Sequence, residues 1–448
     1  MKIWKTLLAS TLIPNLIMAQ EKIKFITLDP GHFHAALVQK SMYPVVDNTV
    51  HVYAEQGNDL KWHLDRINGY NTRATDPTQW KEEVYTGKDF FQKMISEKKG
   101  NVVVLAGNNR LKTSYINESV KNGLNVFADK PMVIDDAGFN LLKSAFATAK
   151  KNGIQIYDIM TERYEITTML QRAFSMEPSV FGTLEKGTAE DPAVTKESVH
   201  HFYKYVSGSV LTRPSWFFDV KQEGEGIVDV TTHLVDLIQW ECFPEKIINY
   251  TKDIKMIKSQ SWNTKLTPDE FKLVTKEAEI PAYLNTIKDK DGNLNVLSNG
   301  AFTYQINGVY AKVSVIWNYK APEGTGDTHY SLMRGTKSSL IIRQGKEQNF
   351  KPTLYIEPRQ VDAATKTAVE KAVVEINKKF PGVSITQNAK GWEVIIPEKY
   401  KEVHETHFAR VTEKYLDYLQ NKNMPAWEVP NILAKYYTTT LARKFAKK

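Results

Sequence analysis

The chain has 448 residues, 42% of them hydrophobic and 25% charged, with 23 glycines and 18 prolines; this ordinary globular composition excludes disordered, collagen-like and low-complexity classes. At roughly 150 residues per domain the length predicts two or three domains, each large enough for its own core. Lys plus Arg exceed Asp plus Glu by 59 to 51, a net +8 spread without a basic stripe apart from a short tail at 442–448, so no nucleic acid partner is expected, and a lone cysteine, Cys242, excludes a disulfide framework or an all-thiolate metal site.

In chain order, residues 1–19 come first. The basic start Met1-Lys2-Ile3-Trp4-Lys5 leads into the uncharged run TLLASTLIPNLIMA at 6–19, the anatomy of a cleaved secretory signal peptide. As a helix that run spans only about 21 Å, short of a ~30 Å hydrocarbon core. The protein is therefore expected to be exported, in the periplasm, with no membrane span. Apolar strands follow at 23–28, 50–54, 101–106, 124–128 and 154–158, with helices at 35–42, 112–122 and 135–151. Such alternation predicts a parallel sheet covered on both faces.

The turn after the first strand reads Asp29-Pro30-Gly31-His32-Phe33-His34. A pyrophosphate turn normally carries G-x-G-x-x-G, and here only the middle glycine, Gly31, remains. Glu55 stands 24 residues further on, just after the second strand. A carboxylate there accepts both ribose hydroxyls and repels a 2′-phosphate; a solvated loop charge is the alternative. In the second half, strands near 199–206, 299–318, 329–343 and 352–358 predict a mostly antiparallel sheet, followed by closing helices at 402–420 and 428–446. Asp229, His233 and Asp236 are spaced to share one helix face. His404 and His407 lie three apart with no third ligand evident and read as surface histidines.

Several stretches together resemble one family. Asn108-Asn109, the run 121–127 and Ala128-Asp129-Lys130-Pro131 are similar to the "AlxAGkhVxxEKP" segment of the Gfo/Idh/MocA oxidoreductases (glucose–fructose oxidoreductase and inositol dehydrogenase). Asp129 stands in place of the usual Glu. Residues 224–236 resemble the family's glycine-rich loop with D-x-x-x-H-x-x-D, residues 404–440 its closing helix pair, and Arg163-Tyr164 with Phe181-Gly182 its "RF…iG". Other departures are the eroded fingerprint, Lys112 where His is common, and extra residues around 260–297 and 360–395.

The resemblance implies an α/β protein: a signal peptide at 1–19, a Rossmann dinucleotide-binding domain at 20–158, and an α/β substrate and oligomerisation domain at 159–448 with a mostly antiparallel sheet. It implies a nicotinamide cofactor held by Gly31, His32, Phe33, Glu55, Asn108, Asn109, Asp129 and Lys130; Glu55 favours NAD, and because an exported enzyme would lose a dissociating cofactor, tight binding is expected. Lys130, Asp229 and His233 are then catalytic, and Arg163, Lys204 and Trp216 face the substrate. No metal is expected, and a homo-oligomer is. The residue chemistry agrees: histidine takes a hydroxyl proton, lysine steadies developing alkoxide charge, and Asp229 orients the ring. Asp236 reads as structural. The aromatics at 200–205 and 216–218 suit either sugar stacking or core packing.

Three functions compete. One is an oxidoreductase that oxidises a ring secondary hydroxyl, C3 by choice, of an unphosphorylated sugar or glycoside and passes electrons to an unidentified acceptor. The second is a redox-neutral hydrolase that uses bound NAD, and the third a non-catalytic sugar-binding protein.

Overall fold

A computed structural model describes residues 22–206 and 209–447. The predicted signal peptide at 1–19 lies outside the described residues. Strands β1 (Phe25–Leu28), β2 (Thr49–Tyr53), β3 (Lys81–Tyr85), β4 (Val102–Leu105), β5 (Asn125–Asp129) and β6 (Ile156–Ile159) form a six-stranded sheet in the order β3-β2-β1-β4-β5-β6. Every pair is parallel. Continuous apolar runs such as VVVL in β4 form these strands because both faces are buried under helices. Edge strand β3, KEEVY, is mostly solvated; its charges suit an edge and hide it from a hydrophobicity reading. The first helix is shorter than predicted, His34–Leu37. Beyond it the chain tightens into i→i+3 bonds, Gln39 N–H to Ala36 O and Lys40 N–H to Leu37 O, on its way to Pro44.

The second sheet has nine strands. In chain order these are β7 (Val194–Tyr203), then, after a small separate hairpin of β8 (Tyr205–Val206) and β9 (Ser209–Val210), β10 (Ile254–Leu266), β11 (Leu294–Ile306), β12 (Val309–Lys320), β13 (Thr328–Arg334), β14 (Ser338–Arg343), β15 (Thr353–Pro358), β16 (Ser384–Asn388) and β17 (Gly391–Ile395). Their order is β10-β11-β12-β7-β13-β14-β15-β17-β16, and only β12 and β7 run parallel. The predicted stretch 299–318 divides at Asn307-Gly308, both at positive φ, the dipeptide that makes a tight hairpin turn.

The closing helices, His404–Asn421 and Glu428–Ala446, join the two domains. Tyr415 stacks between Phe127 and Tyr157, at centroid distances of 4.8 and 5.7 Å, while Ala434 and Ala442 enter the core beneath the second sheet. A buried ionic network crosses the same boundary. Lys435 Nζ lies 2.6 Å from Asp158 at the end of β6 and 2.8 Å from Asp236. Arg163 grips Asp236 through two N–H groups, at 2.6 and 2.7 Å, and also reaches Glu428. Among the described residues no helix is long and apolar enough to cross a membrane.

Candidate active site

Strand order reverses between β1 and β4, and open parallel sheets bind ligands in the crevice outside the carboxyl ends at such a point. The turn after β1 carries Asp29 at φ 49°. The Gly31 and His32 N–H groups donate to Ala106 O at 3.3 and 3.1 Å, pinning this turn to the end of β4. β5 ends at Asp129, and a cis Lys130–Pro131 bond follows. From the other domain comes the turn at 224–230. A Cβ on Gly226 would strike the Ser298 carbonyl, so only glycine fits there. The helix Thr231–Cys242 begins two residues after Asp229. Asp229 therefore sits in the turn that launches the helix rather than on its face, its carbonyl accepting from Thr232 N–H at 3.1 Å.

This arrangement brings Lys130, Asp229 and His233 to one cavity of about 1030 Å³. Lys130 Nζ donates to Asp229 Oδ1 at 2.5 Å. Burial works against the lysine's charge, but the Asp229 and Asp129 carboxylates outweigh it and hold its pKa above the usual value. His233 is pushed the other way: burial first, then the Lys130 charge, keeps its pKa well below 6.5. At neutral pH the cavity presents a cationic lysine beside a neutral imidazole, a donor and an acceptor. His233 Nδ1 is buried without a hydrogen-bond partner among the described residues.

The cavity lining also holds Lys204, which donates to Asp327 Oδ2 at 2.6 Å. Asp327 also contacts His200 and His201, each at 3.1 Å. Three acids on the wall carried no sequence signal strong enough to single them out: Asp327, Glu223 and Glu162. Burial and the nearby Asp229 push the Glu223 carboxyl well above its usual pKa. Burial and Glu165 raise Glu162 to about 7. Glu223 adjoins the glycine-rich turn, and that proximity was the available clue.

Other expected residues are placed differently. Arg163 does not line the cavity; its guanidinium is committed to Asp236 and Glu428, so it holds the domains together instead of a substrate. Trp216 also leaves the cavity and donates to Asp59 at 2.8 Å. It roofs Gly31, where any Cβ would lie 2.9 Å from Asp59 and 3.0 Å from Trp216. Asn108 and Asn109 donate to Gln222 and Glu223, both at 2.8 Å, so segment 211–223 lies as a strap across the crevice. Glu55 is exposed beyond β2, open to a ribose. His404 borders the cavity 3.5 Å from Glu162 and is exposed, as expected of a surface histidine, whereas His407 is buried. A dinucleotide fits at both ends, Glu55 for the adenosine and the orphaned His233 with Lys130 for the reacting end; its middle must share the crevice with the strap.

This fold and cleft are those of a two-domain oxidoreductase. The family model described as "Putative oxidoreductase C terminal domain" matches residues 170–447, and the chain belongs to that family. A solved protein from Parabacteroides merdae, described as a "putative oxidoreductase", is 54% identical, with TM-score 0.93 over 95% of this chain and 98% of that one. More distant structures share the fold. One is a 3-ketoreductase from Actinomadura kijaniata in complex with NADP, 12% identical, TM-score 0.56, covering 94% of this chain and 97% of that one. Another is GenD2 from gentamicin A biosynthesis in complex with NAD, 13% identical, TM-score 0.56, covering 98% of each chain. No curated protein matches the chain.

Proposed function

We propose that the protein is an exported, NAD-dependent oxidoreductase that oxidises a ring secondary hydroxyl, C3 by choice, of an unphosphorylated sugar or glycoside. The observation that carries this reading is the meeting of cationic Lys130, Asp229 and neutral His233 in one cavity at the end of β5. A nicotinamide dinucleotide in distant structures of the same fold, NAD in one and NADP in another, supports the cofactor class. Nicotinamide would supply the hydride acceptor, with Gly31, His32, Phe33, Glu55, Asn108, Asn109 and Asp129 the residues to hold the dinucleotide. A His233 ring nitrogen takes the hydroxyl proton. The Lys130 ammonium hydrogen-bonds the same oxygen and stabilises its developing charge. Asp229 fixes the lysine and offers its second oxygen to a neighbouring hydroxyl, orienting the ring.

Two properties of the cavity support the substrate class. Eight carboxyl groups line it against four Lys and Arg side chains, which disfavours a phosphate dianion. Its volume of about 1030 Å³ lies at the upper end of small-molecule sites, leaving room for a sugar with its aglycone. The apolar run at 6–19 supports export, where free dinucleotide is scarce, and the strap over the crevice favours slow exchange. Denaturing the purified protein is expected to release NAD; release of NADP would remove the ribose role from Glu55, since a carboxylate repels a 2′-phosphate.

The activity test is incubation with simple glucosides and an artificial acceptor, with any new carbonyl located by NMR. A 3-keto glycoside with its linkage intact supports the proposal. Free sugar without acceptor reduction refutes it in favour of the redox-neutral hydrolase. One observation favours that second reading: burial and Glu165 raise Glu162 to about 7, so it carries a proton part of the time at neutral pH that a leaving aglycone could take.

A further inference from the structure

The histidines at the eroded glycine turn and the aspartate in the Asp-Lys-Pro segment fall on one spot. His34 Nδ1 is 2.9 Å from Asp129 Oδ2, and His32 Nδ1 is 3.6 Å from the same oxygen. The three donor atoms all lie within 4.8 Å of one another. The shorter contact is a hydrogen bond; the longer one is not. His32 Nδ1 is nevertheless buried, with no hydrogen-bond partner among the described residues. A structural His–Asp pair accounts for His34 and leaves His32 unexplained, and folded proteins rarely bury a ring nitrogen without a partner. Glycines are what a phosphate turn needs; two imidazoles aimed at one carboxylate are what a metal ion needs.

We propose that His32, His34 and Asp129 bind a divalent transition-metal ion of the zinc class. The ligands are the two Nδ1 atoms and a carboxylate oxygen, a donor set that zinc and its neighbours accept in sites with an open position. His32 and His34 both border the large cavity, so the open position faces solvent and substrate. The supporting contacts are in place. Asp129 ends a strand hydrogen-bonded on both sides, and its carbonyl accepts from Lys112 Nζ at 3.2 Å. The neighbouring Lys130 charge is compensated by Asp229 at 2.5 Å, leaving the Asp129 carboxylate to the ion. His32 and Asp129 then serve the ion rather than the dinucleotide, and the three-donor geometry stands whether or not the oxidoreductase reading does.

The test uses the purified protein, stripped with a chelator and dialysed, then titrated with Zn²⁺ alone by calorimetry and with Co²⁺ alone by visible absorption. One equivalent is expected, with the d–d bands of Co²⁺ bound to nitrogen and oxygen. His32→Ala and the isosteric Asp129→Asn should each weaken binding at least ~10-fold, because even residues behind a metal ligand are worth that much. Circular dichroism confirms that each variant is folded. Absence of stoichiometric binding, binding unchanged in both variants, or binding removed only by His404→Ala overturns the proposal. Dinucleotide released on denaturation is measured in the same samples, so failure of the cofactor reading is seen separately.

Discussion

Replacing His233 by Ala is expected to lower turnover by roughly 10²–10⁴-fold, the contribution usual for a positioned general base. Lys130→Ala should do comparable damage, with circular dichroism unchanged and dinucleotide still bound in both. The charge states also set the pH profile. His233 is held well below 6.5 and Lys130 above 10.5. The imidazole therefore stays an acceptor as pH falls through neutrality, and the ammonium stays a donor as pH rises. Turnover should be flat across neutral pH, with its acid limb below 6.5. Steady-state rates over the pH range provide the measurement. A His233→Ala protein with near-normal turnover would leave that residue a structural role only.

Asp236→Ala should cost about 1.5–3 kcal/mol of stability, because it removes charged hydrogen bonds from a buried ionic cluster. Two buried cations, Arg163 and Lys435, would each be left with a single carboxylate, Glu428 and Asp158. Burial opposes the Asp236 charge, but Arg163 and Lys435 outweigh it and hold its pKa well below 3.8. Its contribution is thus complete above the unfolded value of about 4 and is lost as pH falls toward the folded value. Urea unfolding at neutral and acid pH measures both effects. A cost under about 1 kcal/mol at pH 7 would mean that the cations find other partners.

The sheet that positions the site was legible because its strands carry mostly apolar runs, the charged edge strand β3 excepted. Lys130, Asp229 and His233 were legible because their spacing within two local motifs survives without knowledge of the fold. What escaped was either too polar or too distant in sequence. β10, IKMIKSQSWNTKL, exposes most of one face, so its composition reads as loop. The true partners of Arg163 lie 73 and 265 residues away, and nothing local distinguishes an arginine paired at that range from one awaiting a substrate. Trp216 reached Asp59 across 157 residues for the same reason.

One ammonium, that of Lys435, answers to both domains. Asp158 belongs to the parallel sheet and Asp236 to the helix that carries His233, and both lie within 2.8 Å of Lys435 Nζ. Swinging the domains apart would break these contacts in a place water does not reach, so there is little room for a hinge. Amide protons in β6 and in the helix Thr231–Cys242 should exchange together, as parts of one cooperative unit. The groups proposed as catalytic are then assembled before a substrate arrives, in a cavity that residues 321–327 also line.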